Sequence, residues 1–169
     1  TIASNNMTEF GYAFFKATNT DGSKNNIIRN CTVSLNTGST NYPNTIGIFS
    51  TTITTAVNGI ASVSNTSILG SNSDNSILLN NISGANLGIA VIGSNTAAAM
   101  DSGWIINENS ITNFGIGNGE ASSLYHKLGT TTQGILVNQS YNFTISDNII
   151  ASIDGSLTTP ISMVGVLIG

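Results

Sequence analysis

The chain has 169 residues and a formal net charge of −4, from four Lys+Arg and eight Asp+Glu, so only 7% of it is charged, where a soluble domain usually carries about 25%. Four basic side chains leave no footprint for a phosphate backbone, and no apolar run reaches the roughly 18 residues that would span a bilayer. The hydrophobic fraction of 40% excludes disorder, and 24 Asn, 22 Ser, 21 Thr and 23 Ile favour short strands and turns over helices.

Two motifs alternate along the chain. The first is a glycine, an aliphatic or aromatic residue, and then alternation; it opens as Gly11-Tyr12-Ala13-Phe14. The second is an aliphatic residue, two variable residues, Asn, one variable residue and another aliphatic. Its first copy is degenerate, Ile28-Arg29-Asn30-Cys31-Thr32-Val33, with Cys31 in the Asn slot. Next come Gly47-Ile48-Phe49-Ser50 and a stretch at 63–68 with Thr66 in the slot, which reads either as an extra unit or as an insertion. Ile77 to Ile82 carries Asn80 in the slot, and Gly88-Ile89-Ala90-Val91 follows. Ala97 to Met100, and the stretch near Leu124, are the places suited to a helical turn. Ile106 to Ile111 carries Asn109, Gly134-Ile135-Leu136-Val137 follows, Ile145 to Ile150 carries Asn148, and Gly165-Val166-Leu167-Ile168 ends the series.

A period of this length means stacked units, none of which buries its own apolar face alone. Equivalent residues then form columns: Ile28, Ile77, Ile106 and Ile145; Val33, Ile82, Ile111 and Ile150; Tyr12, Ile48, Ile89, Ile135 and Val166. The Asn slot falls between two inward aliphatics, where the chain turns a corner. A carboxamide there can bond the backbone groups freed by the turn and its own equivalents in neighbouring units.

Segments such as Asn25-Asn26-Ile27-Ile28-Arg29-Asn30 and Asn142 to Ile150 resemble coils of the right-handed parallel β-helix, the pectate-lyase-like superfamily with its Asn ladder at one turn. The resemblance covers Gly11 to Ile168. It implies an all-β, right-handed parallel solenoid of about four to five coils. A single domain over 1–169 is expected, a piece of a longer chain, because the sequence opens at Thr1 and ends on the apolar run Met163 to Ile168. The glycine spacings of 36, 41, 46 and 31 exceed a bare coil, so loops are expected at 36–44, 51–58, 94–102, 117–132 and 154–162. An antiparallel β-sandwich is the competing arrangement, and needs hairpin turns that Asn58-Gly59 and Asn118-Gly119 frame poorly.

Candidate chemistry is sparse. In successive coils Glu108 and Asp147 share one slot, about 4.8 Å apart at the backbone, which suits an acid/base couple or, with nearby oxygens, a calcium site. Asp101 is expected near the same face. Trp104, Tyr125 and Tyr141 offer rings for stacking on sugars, and His126 sits beside Tyr125 in the longest loop. One His and the lone Cys31 make neither a zinc site nor a disulfide. No cofactor other than calcium is expected, nor is nucleic acid.

Low Lys and Glu content and frequent Asn-x-Ser/Thr triplets suit an extracellular or cell-surface setting. The leading expectation is a non-catalytic module acting as stalk, adhesin or glycan-contact surface. The alternatives are a polysaccharide lyase or glycoside hydrolase, and a viral or phage fibre segment. No lyase active-site motif of the resembling superfamily is matched residue by residue.

Overall fold

β-branched residues two apart, with small polar residues between and after them, set strands that in two of the sheets are only three residues long and end in tight corners. The computed structural model describes residues 8–35, 44–54, 65, 67–115, 131–151 and 162–169. The chain makes repeated passes. The first holds β1 (Thr8–Lys16), β2 (Ile27–Arg29) and β3 (Thr32–Ser34). The second holds β4 (Asn44–Thr54), β5 (Ser76–Leu78) and β6 (Asn81–Ser83). The third holds β7 (Leu87–Ile92), β8 (Asp101–Ser102), β9 (Ile105–Asn107) and β10 (Ser110–Thr112). The fourth holds β11 (Thr131–Asn138), β12 (Ser140–Tyr141), β13 (Thr144–Ser146) and β14 (Ile149–Ala151), and β15 (Ser162–Ile168) follows. Among the described residues the only helical pieces are two 3-10 turns, Ile68–Gly70 and Ala97–Ala99.

Each pass contributes one strand to each of three sheets, ordered β1-β4-β7-β11-β15, β2-β5-β9-β13 and β3-β6-β10-β14, with β8 and β12 forming a small fourth. All pairings between these strands are parallel. The architecture is therefore all-β with stacked parallel strands, consistent with a parallel β-helix, and the antiparallel sandwich is excluded for the described strands. β2 pairs directly with β5 and β3 with β6, so no strand stands between them; residues 63, 64 and 66 of the stretch at 63–68 lie outside the described residues.

The expected columns are in register. Ile28, Ile77, Ile106 and Ile145 align, as do Val33, Ile82, Ile111 and Ile150. Tyr12, Ile48, Ile89, Ile135 and Val166 form the third column. Burial is complete in the middle passes, where Ile77, Ile106, Ile111, Ile89 and Ile135 are 0% exposed. It fades at the ends: Tyr12 is exposed, although its position is an inward one, and so is Val166. A second apolar cluster, Ile46, Phe49, Leu87, Ala90, Ile92 and Leu136, joins residues of the long sheet.

The repeated glycine has a steric cause. A Cβ on Gly47 would stand 2.4 Å from the Gly88 carbonyl oxygen and 2.4 Å from Cγ2 of Ile82; one on Gly88 would stand 2.4 Å from the Gly134 oxygen and 2.5 Å from Ile111. The long sheet there presses its backbone against the next pass and against the second aliphatic column, leaving no room for a side chain.

Two loop expectations change. Thr51 to Thr54 belong to β4, because β-branched threonines extend the strand, and 94–102 contains the Ala97–Ala99 turn and β8. Most of 36–44, 117–132 and 154–162 lies outside the described residues.

Candidate functional site

Corners bring the polar residues together. At the turn from the second sheet to the third, Asn30, Leu79, Glu108 and Asp147 all hold left-handed backbone, φ 54 to 56°. The residue that follows each one turns inward as a rung. The backbone amide of Cys31 donates to Asn80 Oδ1 (3.0 Å), that of Asn80 to Asn109 Oδ1 (3.0 Å) and that of Asn109 to Asn148 Oδ1 (2.9 Å). Each carboxamide also donates one pass back, Asn80 to the Ile28 carbonyl, Asn109 to that of Ile77 and Asn148 to that of Ile106. The expected ladder is therefore present and fully bonded. Cys31, at its end, gives its thiol to the Arg29 carbonyl.

Glu108 and Asp147 do occupy the same slot, since Asn107 pairs with Ser146 and the Glu108 amide donates to the Ser146 carbonyl. Both side chains are exposed, and Glu108 Oε1 accepts from Asn107 Nδ2 at 2.9 Å. Asp101 does not join them. It is 1% exposed, inside a different corner, where the chain turns from the long sheet to the second sheet. No group of three or more His, Cys, Asp or Glu converges among the described residues. A calcium site at Glu108 and Asp147 would have to draw on the neighbouring Asn107 and Ser146 oxygens.

Trp104 is 0% exposed, set edge-on against Phe14 (5.3 Å between ring centroids), with Nε1 donating to the Asn72 carbonyl at 2.7 Å. Such a ring offers no face to a sugar, so its expected role as a stacking platform is withdrawn in favour of a core role. Register explains the burial. Amides at Ser76, Ile105 and Thr144 donate to the carbonyls of Asn26, Asn75 and Trp104, so Trp104 stands in the slot that Asn26 fills at the exposed end of the stack and that the buried Asn75 fills one pass earlier. Tyr141 is 49% exposed on β12 and does present a ring. Tyr125 and His126 lie outside the described residues.

A second polar column is less regular. The Ser23 amide donates to Asn72 Oδ1 (2.8 Å), the Asn72 amide donates to Asp101 Oδ1 (2.9 Å), and Asp101 pairs with Ser140 across β8 and β12. Burial pushes the Asp101 carboxyl up to about 7, against the pull of the Asn72 amide and of the Lys16 and Lys24 ammonium groups. Lys16 is buried too, and its own pKa is lowered by that burial. Sequence reasoning missed this column because Ser23, Asn72, Asp101 and Ser140 do not repeat one residue type at a fixed offset from the aliphatics.

The outer rows are chemically plain. On the third sheet, Thr32, Asn81, Ser110 and Ile149 align in one row and Ser34, Ser83, Thr112 and Ala151 in the other, none of them charged. No family model, no curated protein and no solved structure matches the chain.

Proposed function

We propose that the chain is a right-handed parallel β-helix module of a secreted or cell-surface protein, whose outer rows contact neutral glycan without catalysis. The carrying observation is the division of its polar chemistry. Carboxamides are spent inside on corner hydrogen bonds, while the third sheet turns rows of hydroxyls and an amide outward with no charge among them. Such rows match sugar hydroxyls, and Tyr141 supplies a ring. Exposed Glu108 and Asp147, with Asp101 sealed elsewhere, favour this reading over a lyase or hydrolase.

A glycan array probed with the whole chain tests it. Binding to neutral polysaccharide is expected, and Ser110→Lys, in the middle of a row, should weaken it about tenfold, roughly 1.4 kcal/mol, with the circular dichroism unchanged. Cleavage of a polysaccharide that is abolished by Glu108→Gln with Asp147→Asn would instead establish an enzyme.

A further inference from the structure

Lys16 and Asp101 are the charged side chains buried among the described residues, 2% and 1% exposed, and neither has its outer polar atom matched. Lys16 Nζ and Asp101 Oδ2 have no hydrogen-bond partner. An ionised carboxylate offers only acceptors, and one oxygen left bare in the interior is costly. The same position one pass earlier holds Asn72, which accepts a backbone amide through Oδ1 and donates through Nδ2 to the Phe14 carbonyl (3.2 Å), Ser50 Oγ (3.1 Å) and the Thr51 carbonyl (3.0 Å). A carboxylic acid has the same shape as a carboxamide, with O–H in place of N–H as the donor. Asp101 already makes the accepting bond, to the Asn72 amide. Strand register puts the carbonyls of Ser50 and Ile92 where the donor would be used, because Phe14 pairs with Ser50 and Thr51 with Ile92.

We propose that Asp101 is a proton-operated rung: protonated, it does the work of Asn72 one pass on, and deprotonation loosens the corner between β7 and β9. The charged groups facing it are Lys16, from the end of β1, and Lys24, whose ammonium is already engaged by the Ile68 and Leu69 carbonyls. β12 faces it with Ser140, and the 3-10 turn Ala97–Ala99 carries no ionisable group. The raised pKa of the carboxyl agrees with this arrangement. A native-state pKa above the unfolded one means that the unfolded chain loses its proton first. The stabilisation is therefore whole below about pH 4, falls as pH rises to about 7, and is flat above that, with the unfolding constant rising by at most about tenfold per pH unit.

The test is urea unfolding between pH 4 and 9, comparing the native chain with Asp101→Asn and following the fluorescence of Trp104. That ring is the single tryptophan, and its Nε1 bonds the Asn72 carbonyl beside the rung. Asp101→Asn should equal or exceed the native chain above pH 7, and the difference between the two should track pH between 4 and 7. Lys16→Met should extend the upper edge of that window to higher pH, because the ammonium favours the ionised carboxyl in the folded chain. Infrared spectra of the folded native chain at pH 6 should retain a protonated carboxyl stretch that Asp101→Asn removes; this reads the rung even if a variant folds poorly. A pH-independent loss of stability in Asp101→Asn, or no protonated carboxyl at pH 6, overturns the proposal and leaves a water-bridged ion pair with Lys16 in its place.

Discussion

Asn109 concentrates what a single residue does here. Its Oδ1 accepts the backbone and side-chain amides of Asn80, and its Nδ2 reaches the Ile77 carbonyl and Asn148 Oδ1, all in a residue 1% exposed. Asn109→Ala strands donors on one side and acceptors on the other, each costing about 1–3 kcal/mol when buried. Urea unfolding should therefore register a loss of at least about 3 kcal/mol, against about 1 kcal/mol for Ile111→Val next to it. This rung was legible because Asn recurs at a fixed offset between two aliphatics. Trp104 was not, because its slot changes from amide to aromatic partway down, and nothing in its immediate neighbours separates a core ring from a surface one.

Strands of two or three residues have little stability of their own, so these elements exist through their stacking. The glycine column of the long sheet is where that stacking is tightest. Gly88→Ala puts a methyl 2.4 Å from one carbonyl oxygen and 2.5 Å from the Ile111 side chain. Backbone must move to admit it, and a loss of about 1–3 kcal/mol is expected by thermal or urea unfolding, as for other overpacked sites. An alanine at Gly165, with nothing within 4 Å of its Cβ, should cost far less. The motif's recurrence gave away the column, and its register followed from the aliphatics beside it. The far end of β4 was hidden because a run of threonines reads equally as strand and as turn, and pairing with β7 and β1 decided for strand.

At the scale of the molecule, each pass touches its neighbours along the stack, so stability should be graded along it. Ile135 and Val137 are sealed, while Val166 and Ile168, their partners in the last strand, are 40 and 59% exposed. Native-state hydrogen exchange should find amides of β9 and β10 protected about tenfold or more over those of β14 and β15; uniform protection would mean that the passes open as one unit. The stacked all-β plan was legible from periodicity, and its parallel strands from the resemblance, whereas the make-up of the outer rows was not, since outward positions are free of the packing that imposes a pattern. The glycines lie 36, 41, 46 and 31 residues apart, yet the columns keep step. Spacing along the stack is thus set by hydrogen bonding between strands, about 4.8 Å per pass, whatever length of chain intervenes. The molecule works as a ruler: a polymer lying along an outer row would be met at one fixed interval, and the connecting segments can lengthen or shorten without moving a single graduation.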